Sequence, residues 1–111
     1  MESIPNNQTP ILIVDDDVGL LASIKATLVS SGMSEPALVS DGRRVLDLVR
    51  ERRFKLVFLD LIMPHIGGMQ LLQQIKEEFP DIEAVIVTAI DDVSSAVDAM
   101  KFGAYDYLVK P

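Results

Sequence analysis

Five short apolar segments alternate with four helix-like stretches along this chain of 111 residues. The apolar segments occupy residues 11–14, 37–39, 56–59, 84–87 and 107–109. Each is too short for a helix and lacks the polar alternation of a half-exposed strand, so each predicts a buried strand. Regular alternation of buried strands with helices is typical of a parallel sheet covered by helices.

The four intervening stretches have apolar residues at helical spacing. Their apolar positions are, in chain order, Leu20, Leu21, Ile24 and Leu28; Val45, Leu46 and Val49; Leu71, Leu72, Ile75 and Phe79; and Val93, Ala96, Val97 and Met100. We expect N-terminal caps at Asp17, at Asp41, and at Asp91 or Asp92. Right-handed crossovers then favour a doubly wound, flavodoxin-like α/β fold with five parallel strands in the order 2-1-3-4-5.

Composition limits the classes of protein to which the chain can belong. A net charge of −7 argues against direct binding to nucleic acid. The chain has no cysteine, and no apolar segment approaches the ~20 residues of a membrane span. We expect residues 1–10 to form a polar lead-in and residues 11–111 to form one domain of a soluble, cytoplasmic protein with no membrane contact.

Chemically active residues follow the predicted strands directly. They are Asp15 and Asp16, Ser40, Asp60, Thr88 and Lys110. Because ligands gather outside the carboxyl ends of parallel strands, and strands one and three are expected to be neighbours, Asp15, Asp16 and Asp60 should converge. Three like charges so close together predict a cation among them. Carboxylate oxygens suit Mg²⁺, with Mn²⁺ as the alternative.

The same residues predict a phosphoryl-transfer chemistry. A carboxylate such as Asp60 can attack phosphorus and form an acyl phosphate. The charge that develops on the transferring oxygens requires a metal and a cation such as Lys110. Thr88 can donate a hydrogen bond to a phosphoryl oxygen, and Ala89 leaves space beside it.

At this point the chain resembles the receiver domain of two-component response regulators from about residue 11 to residue 111. The matching motifs are Val14-Asp15-Asp16-Asp17, Leu59-Asp60-Leu61-Ile62-Met63-Pro64, Val87-Thr88-Ala89 and Lys110-Pro111. The stretch from Ser95 to Leu108 is most similar to receivers of the nitrogen-regulator type, which commonly precede an ATPase that acts on a specialised sigma factor. One departure is Gly67, where the family usually has an aspartate that caps the next helix.

The resemblance implies a role for each site residue. Asp60 would accept a phosphoryl group from a sensor histidine kinase. Asp16, Asp60 and the backbone carbonyl of Ile62 would bind Mg²⁺, while Asp15 would orient the metal's waters and pair with Lys110. Thr88 would be the switch hydroxyl, and Tyr107 the aromatic side chain that swings inward with it.

The resemblance also implies a signalling module rather than an enzyme with a separate substrate. Its catalysis would be limited to its own phosphorylation and dephosphorylation, and it would control an output domain or partner through the surface of its fourth helix and fifth strand. Apolar residues at Ile62 and Ile90, where a water would be oriented, predict a long-lived phosphorylated form. The family adds a fifth helix after Lys110-Pro111. We therefore expect either a continuation beyond Pro111, with that helix and an output domain, or a homodimer that covers the strip left bare over strands three to five.

Three other functions remain open from the residues alone. Some phosphatases use an aspartate nucleophile in a similar sheet, but they need a second carboxylate two residues on, where this chain has Ile62. A nucleotide-binding domain would need a glycine-rich loop after the first strand, and residues 15–19 do not provide one. A receiver-like scaffold that is never phosphorylated would gain nothing from a concentration of negative charge.

Overall fold

The computed structural model describes residues 10–111. Its strands are β1 (Ile11–Val14), β2 (Ala37–Val39), β3 (Leu56–Leu59), β4 (Glu83–Thr88) and β5 (Asp106–Val109). Its α-helices are α1 (Val18–Ser30), α2 (Val45–Glu51), α3 (Gly68–Glu78) and α4 (Val93–Lys101). Apart from Pro10, the predicted lead-in lies outside the described residues. Across the described range, none of the helices combines the length and the apolar character that a membrane crossing requires.

The strands form one parallel sheet in the order β2-β1-β3-β4-β5. β1 and β3 are direct neighbours, with Val14 opposite Leu59. At the other side of the sheet, Thr88 of β4 lies opposite Val109 of β5. The predicted α/β fold and strand order are thus confirmed. All parallel strands end at the same edge, so the residues that follow β1, β3, β4 and β5 are brought together there.

Successive strand residues point to opposite faces of the sheet, and each face has its own core. The face against α2, α3 and α4 buries Leu12, Val14, Val57, Leu59 and Ile86 of the strands with Val45, Val49, Leu71, Leu72, Ile75 and Ala99 of the helices. The opposite face buries Ile11, Ile13 and Leu21, with Ile24, Leu28 and Phe58 packed around them. Each fully buried aliphatic side chain stabilises the fold by about 1.5–3 kcal/mol, so the first face supplies most of the hydrophobic stabilisation.

The structure corrects the predicted start of the second helix. Asp41 caps a 3-10 turn at Gly42–Arg44, where its carboxylate accepts a hydrogen bond from the Arg43 amide at 3.0 Å, and α2 begins at Val45. The Arg43 guanidinium also pairs with Asp41 at 2.9 Å, which favours the tight turn over a regular first turn of helix. Val45 and Val49 are buried as predicted, and Leu46 packs against the same core.

The large apolar side chains of the fourth helix are exposed to solvent. Asp92 caps it, accepting a hydrogen bond from the Ser95 amide at 2.6 Å. Ala99 is fully buried, whereas Val93, Val97 and Met100 are 79%, 43% and 49% exposed. We call these three exposed residues the α4 stripe. Helical spacing therefore identified α4 correctly, but its large apolar residues are not the ones that contact the core.

The predicted bare strip on the α1 face is only partly present. Phe58 packs beside α1, and Val85 of β4 is buried. Exposure rises toward the edge of the sheet, where Val87 is half-buried and Leu108 of β5 is 45% exposed. Among residues 10–111, α1 is the helix that packs on this face, and its contacts centre on β1 and β3.

Candidate functional site

The backbone of the site continues the hydrogen-bond ladders of the sheet. The Asp15 amide donates to the Val39 carbonyl at 3.1 Å, and the Asp60 amide donates to the Val14 carbonyl at 3.2 Å. On the other side, the Lys110 amide donates to the Thr88 carbonyl at 2.8 Å. Each of these residues stands one position past its strand yet is still paired to the neighbouring strand. Their side chains therefore start from a rigid frame.

The three predicted acidic residues converge as expected. Carboxylate oxygens of Asp15, Asp16 and Asp60 all lie within 4.8 Å of one another. Asp15 and Asp60 are buried, with 3% and 5% of their surface exposed, while Asp16 faces solvent. The Asp17 side chain caps α1, accepting from the Leu20 amide at 3.1 Å, while the Asp17 amide donates to Asp15 Oδ1 at 2.9 Å. We call Asp15, Asp16 and Asp60 the acidic cluster.

Lys110 joins two members of the acidic cluster. Its Nζ lies 2.6 Å from Asp15 Oδ2 and 2.8 Å from Asp60 Oδ2. Burial lowers the pKa of Lys110, but the hydrogen bonds to Asp15 and Asp60 outweigh it and raise this pKa above the ordinary value. The lysine is thus held charged between two buried carboxylates, which are far less costly to bury when paired.

The Asp60 carboxylate is held in its ionised form. Burial raises its pKa, but hydrogen bonds from Lys110, the Ile62 amide and the Thr88 hydroxyl outweigh burial and leave the pKa below the ordinary value. The Ile62 amide donates to Asp60 Oδ1 at 3.1 Å. An ionised carboxylate with oriented lone pairs is the form of aspartate that can act as a nucleophile.

Thr88 and Tyr107 meet through the loop between β4 and α4. Thr88 is fully buried, and its Oγ1 accepts from the Ile90 amide at 3.5 Å. The half-buried Tyr107 donates from its hydroxyl to the Ile90 carbonyl at 2.7 Å. Burial and the charges of Asp92, Asp91 and Asp60 raise the pKa of Tyr107, which keeps the hydroxyl a donor. The backbone of Ile90 therefore contacts both predicted switch residues, a role that apolar patterning gave no reason to expect.

A second residue near the site that the sequence pattern did not predict lies at the start of α3, just after the loop that follows Asp60. Gly68, the first residue of α3, is buried against the Asp60 backbone. The adjacent pair Gly67-Gly68 is the signal of this contact that the sequence carries. Gly67 is indeed the N-cap of α3 and makes no side-chain cap hydrogen bond.

The donor set of the acidic cluster fits a hard divalent cation. Three carboxylates face one lysine, so two negative formal charges remain without a partner in the immediate site. Oxygen ligands on adjacent strands, with Asp16 open to solvent, match the preference of Mg²⁺ for carboxylates and retained waters. Together, the fold and site define a doubly wound α/β domain with an acidic, lysine-bridged site at the carboxyl edge of its sheet.

The chain belongs to the response regulator receiver domain family, whose model matches residues 11–111. The transcriptional regulatory protein ZraR of Escherichia coli O157:H7 is 44% identical over 101 residues, which are 91% of this chain and 23% of ZraR. The alginate biosynthesis transcriptional regulatory protein AlgB of Pseudomonas putida is 39% identical over 111 residues, which are 100% of this chain and 25% of AlgB. The chain thus spans about a quarter of the length of these curated relatives.

Solved structures give the same family. A CheY-like response regulator receiver domain protein from Methanospirillum hungatei JF-1 has a TM-score of 0.86 and 29% identity, covering 94% of this chain and 82% of that one. The beryllofluoride-activated NtrC4 receiver domain dimer has a TM-score of 0.84 and 34% identity, covering 91% and 83%. With ZraR and AlgB, this neighbour supports the predicted similarity to the nitrogen-regulator type. The chain is therefore a receiver domain of the two-component signalling class.

Proposed function

We propose that this receiver domain is a phosphoacceptor switch in which Asp60 takes a phosphoryl group from a sensor histidine kinase. The observation that supports this most directly is the contact of Lys110 with both Asp15 and Asp60 beside the solvent-facing Asp16. One buried ionised carboxylate, one fixed cation and one open acidic edge are the parts that phosphoryl transfer to an aspartate requires.

In the proposed step, an Asp60 oxygen attacks the phosphorus of a phosphohistidine. A P–O bond forms, the P–N bond breaks, and the departing imidazole takes up a proton. Lys110 and the Thr88 hydroxyl stabilise the negative charge on the transferring oxygens. Lys110 reaches Asp60 Oδ2 already, so it needs only a small movement to contact a phosphoryl group attached there.

Asp16, Asp60 and the Ile62 carbonyl would hold Mg²⁺, with Asp15 orienting its waters. When bound, this ion neutralises charge on the phosphoryl oxygens and on the acidic cluster. Mn²⁺ is the alternative cation. The Ile62 amide fixes one Asp60 oxygen at 3.1 Å, which restricts rotation of the carboxylate and leaves its orientation ready for both the ion and the attack.

The output of the switch would lie at α4 and β5. A phosphoryl group on Asp60 would accept a hydrogen bond from the Thr88 hydroxyl and draw it toward Asp60, away from the Ile90 amide, which donates to it at 3.5 Å. The Ile90 carbonyl in turn accepts from the Tyr107 hydroxyl. Thr88 precedes α4 in the chain and Tyr107 lies in β5, so both would transmit the change to the α4 stripe. We propose that an output domain or a second copy of the chain binds this surface.

The proposal extends to the output domain, the cellular compartment and the oligomeric state of the protein. ZraR and AlgB are transcriptional regulators several times longer than this chain, so a regulator with an output domain beyond Pro111 is the setting that we propose, in the cytoplasm. NtrC4 is described as a receiver domain dimer, which supports a homodimer here. The net charge of −7 argues against direct contact of the receiver itself with nucleic acid, so we propose that any such contact is made by the output domain.

A direct test is incubation with acetyl phosphate and Mg²⁺ followed by intact mass measurement. The proposal requires one added phosphoryl group, sensitive to hydroxylamine and base, that depends on the metal. A chain that stays unmodified with Mg²⁺ and with Mn²⁺ would instead support a scaffold. Continuous release of phosphate from many donors would support a hydrolase, against which the absence of a carboxylate at Ile62 argues.

A further inference from the structure

The N-terminus of α3 lies directly against the backbone of the proposed phosphoacceptor. Gly68 is buried, and its amide donates to the Leu61 carbonyl at 3.1 Å. A Cβ built on Gly68 would lie 1.9 Å from the Asp60 carbonyl oxygen, and 2.7 Å from both the Asp60 carbonyl carbon and Leu61 Cα. These are backbone atoms, so no change of side-chain rotamer can make room for the added carbon.

Helix α3 is not free to move away from this contact. Leu71, Leu72 and Ile75, on its next two turns, are fully buried in the larger core. Close-packed interiors resist displacement, because a shift of the helix would open cavities around all three side chains. A side chain at position 68 would therefore be accommodated mainly by a shift of the Asp60–Leu61 peptide.

That peptide determines where the Asp60 carboxylate stands. The Asp60 amide is paired to Val14 on one side, and the carboxylate is held by Ile62 and Lys110 on the other. We propose that Gly68 is a positioning residue for the acidic cluster, whose missing side chain lets α3 set the distance between Asp60 and its partners. This inference rests on the proposed function of Asp60 as acceptor and metal ligand.

The neighbouring glycine provides a matched control. A Cβ on Gly67 would meet no atom within 4 Å. Gly67 has φ −75° and ψ 147°, which alanine adopts without strain. Gly67→Ala therefore adds the same methyl group one residue away without touching Asp60. Ile75→Val supplies the second control, because it weakens the packing of α3 without contacting the site.

The experiment compares the wild-type chain with Gly68→Ala, Gly67→Ala and Ile75→Val. Mg²⁺ affinity is measured by calorimetry, labelling by acetyl phosphate, and folding by circular dichroism with thermal melting. Gly68→Ala is expected to remain folded and to lose at least about 10-fold in Mg²⁺ affinity, as displaced outer-sphere partners of metal sites do. Gly67→Ala and Ile75→Val should keep wild-type Mg²⁺ affinity even where the substitution lowers the melting temperature.

Wild-type Mg²⁺ affinity in folded Gly68→Ala would overturn the inference. So would an equal loss of affinity in Ile75→Val, since any disturbance of α3 would then suffice. If Gly68→Ala does not fold, all four chains are measured in trimethylamine N-oxide, which favours compact states. A variant that stays unfolded there also overturns a positioning role. If the wild-type chain binds Mg²⁺ but is never phosphorylated by acetyl phosphate, the proposed function is contradicted, while the test of Gly68 by Mg²⁺ affinity remains valid.

Discussion

Helices α3 and α4 have similar apolar patterns but opposite relations to the core. α3 turns Leu71, Leu72 and Ile75 inward, where all three are fully buried. α4 turns its stripe of Val93, Val97 and Met100 outward and packs through Ala99. Each helix follows a strand whose end carries a proposed site residue, Asp60 for α3 and Thr88 for α4. One helix is thus anchored and the other is lightly attached.

This difference indicates a division of labour around the site. An anchored α3 can fix the position of the proposed acceptor, because Gly68 lies against the Asp60 backbone. A helix that touches the core through small side chains can shift at low cost, because few buried contacts are lost when it moves. The large apolar residues left on α4 are then available to a partner, in line with the roles of exposed apolar patches on monomers.

The largest expected effect is the loss of the proposed phosphorylation of Asp60, to which both helices would respond. Asp60→Asn removes the carboxylate that we propose as the nucleophile while keeping its size, so labelling by acetyl phosphate and Mg²⁺ should be abolished. Intact mass measurement of both chains checks this, with circular dichroism as the control for folding. Stoichiometric, hydroxylamine-sensitive labelling of Asp60→Asn would show that another residue is the acceptor.

The comparison of α3 and α4 also shows how far a sequence of this kind can be interpreted. Strand order and the convergence of Asp15, Asp16 and Asp60 followed from alternation and from residues at strand ends. The buried face of α4 did not follow from the sequence, because Ala99 and the residues of the α4 stripe are all apolar. Helical spacing alone therefore does not tell which of them contact the core. Contacts that depend on backbone atoms, such as Gly68 with Asp60 and Tyr107 with Ile90, leave almost no trace in composition.

Side-chain truncations in the two helices should differ in their effect on the free energy of unfolding. Leu72→Ala in α3 should reduce the free energy of unfolding by about 2–5 kcal/mol, the usual cost of removing a buried leucine side chain. Val97→Ala in α4 should change it by no more than about 0.5 kcal/mol, as exposed substitutions do. Urea unfolding followed by circular dichroism measures both. Equal losses would mean that α4 is as firmly anchored as α3.

The acidic cluster should depend on its solvent-facing member for metal binding. Asp16→Ala is expected to raise the Mg²⁺ concentration for half-maximal labelling at least about 10-fold, since even outer-sphere partners cost this much when lost. Mg²⁺ at ten times its dissociation constant should stabilise the wild-type chain by about 1.4 kcal/mol and stabilise Asp16→Ala less. Asp17→Ala is the matched control, because Asp17 caps α1 and lies outside the cluster. Identical metal dependence in all three chains would exclude Asp16 as a ligand.

Acid should weaken the metal-free site in a defined direction. The folded-state pKa of Asp60 lies below its ordinary value of 3.8. The stability that ionised Asp60 contributes is therefore present above pH 3.8 and is lost as the pH falls through the lower folded-state pKa. Wild-type stability should consequently fall more steeply than that of Asp60→Asn below about pH 4. Parallel pH profiles from urea unfolding would contradict the contribution of Asp60.

The smallest expected effect compares the loops that precede the two helices. Ile62 lies before α3 and is 55% exposed, and its amide donates a hydrogen bond to Asp60 Oδ1. Ile90 lies before α4 and is half-buried. Its amide donates to Thr88 Oγ1, and its carbonyl accepts from the Tyr107 hydroxyl. Neither side chain can hold the in-line water that hydrolyses an acyl phosphate, so the phosphorylated form should be long-lived.

Ile62→Asn supplies an amide at an open position, so loss of the phosphoryl group should accelerate several-fold, which corresponds to about 1 kcal/mol in the activation barrier. Ile62→Val keeps the position apolar and should decay like the wild type. The gain for Ile90→Asn should be smaller, because that loop must keep its backbone contacts with Thr88 and Tyr107. Decay is followed by intact mass after the donor is removed. An unchanged or slower rate in Ile62→Asn would mean that the apolar residue beside Asp60 does not limit hydrolysis.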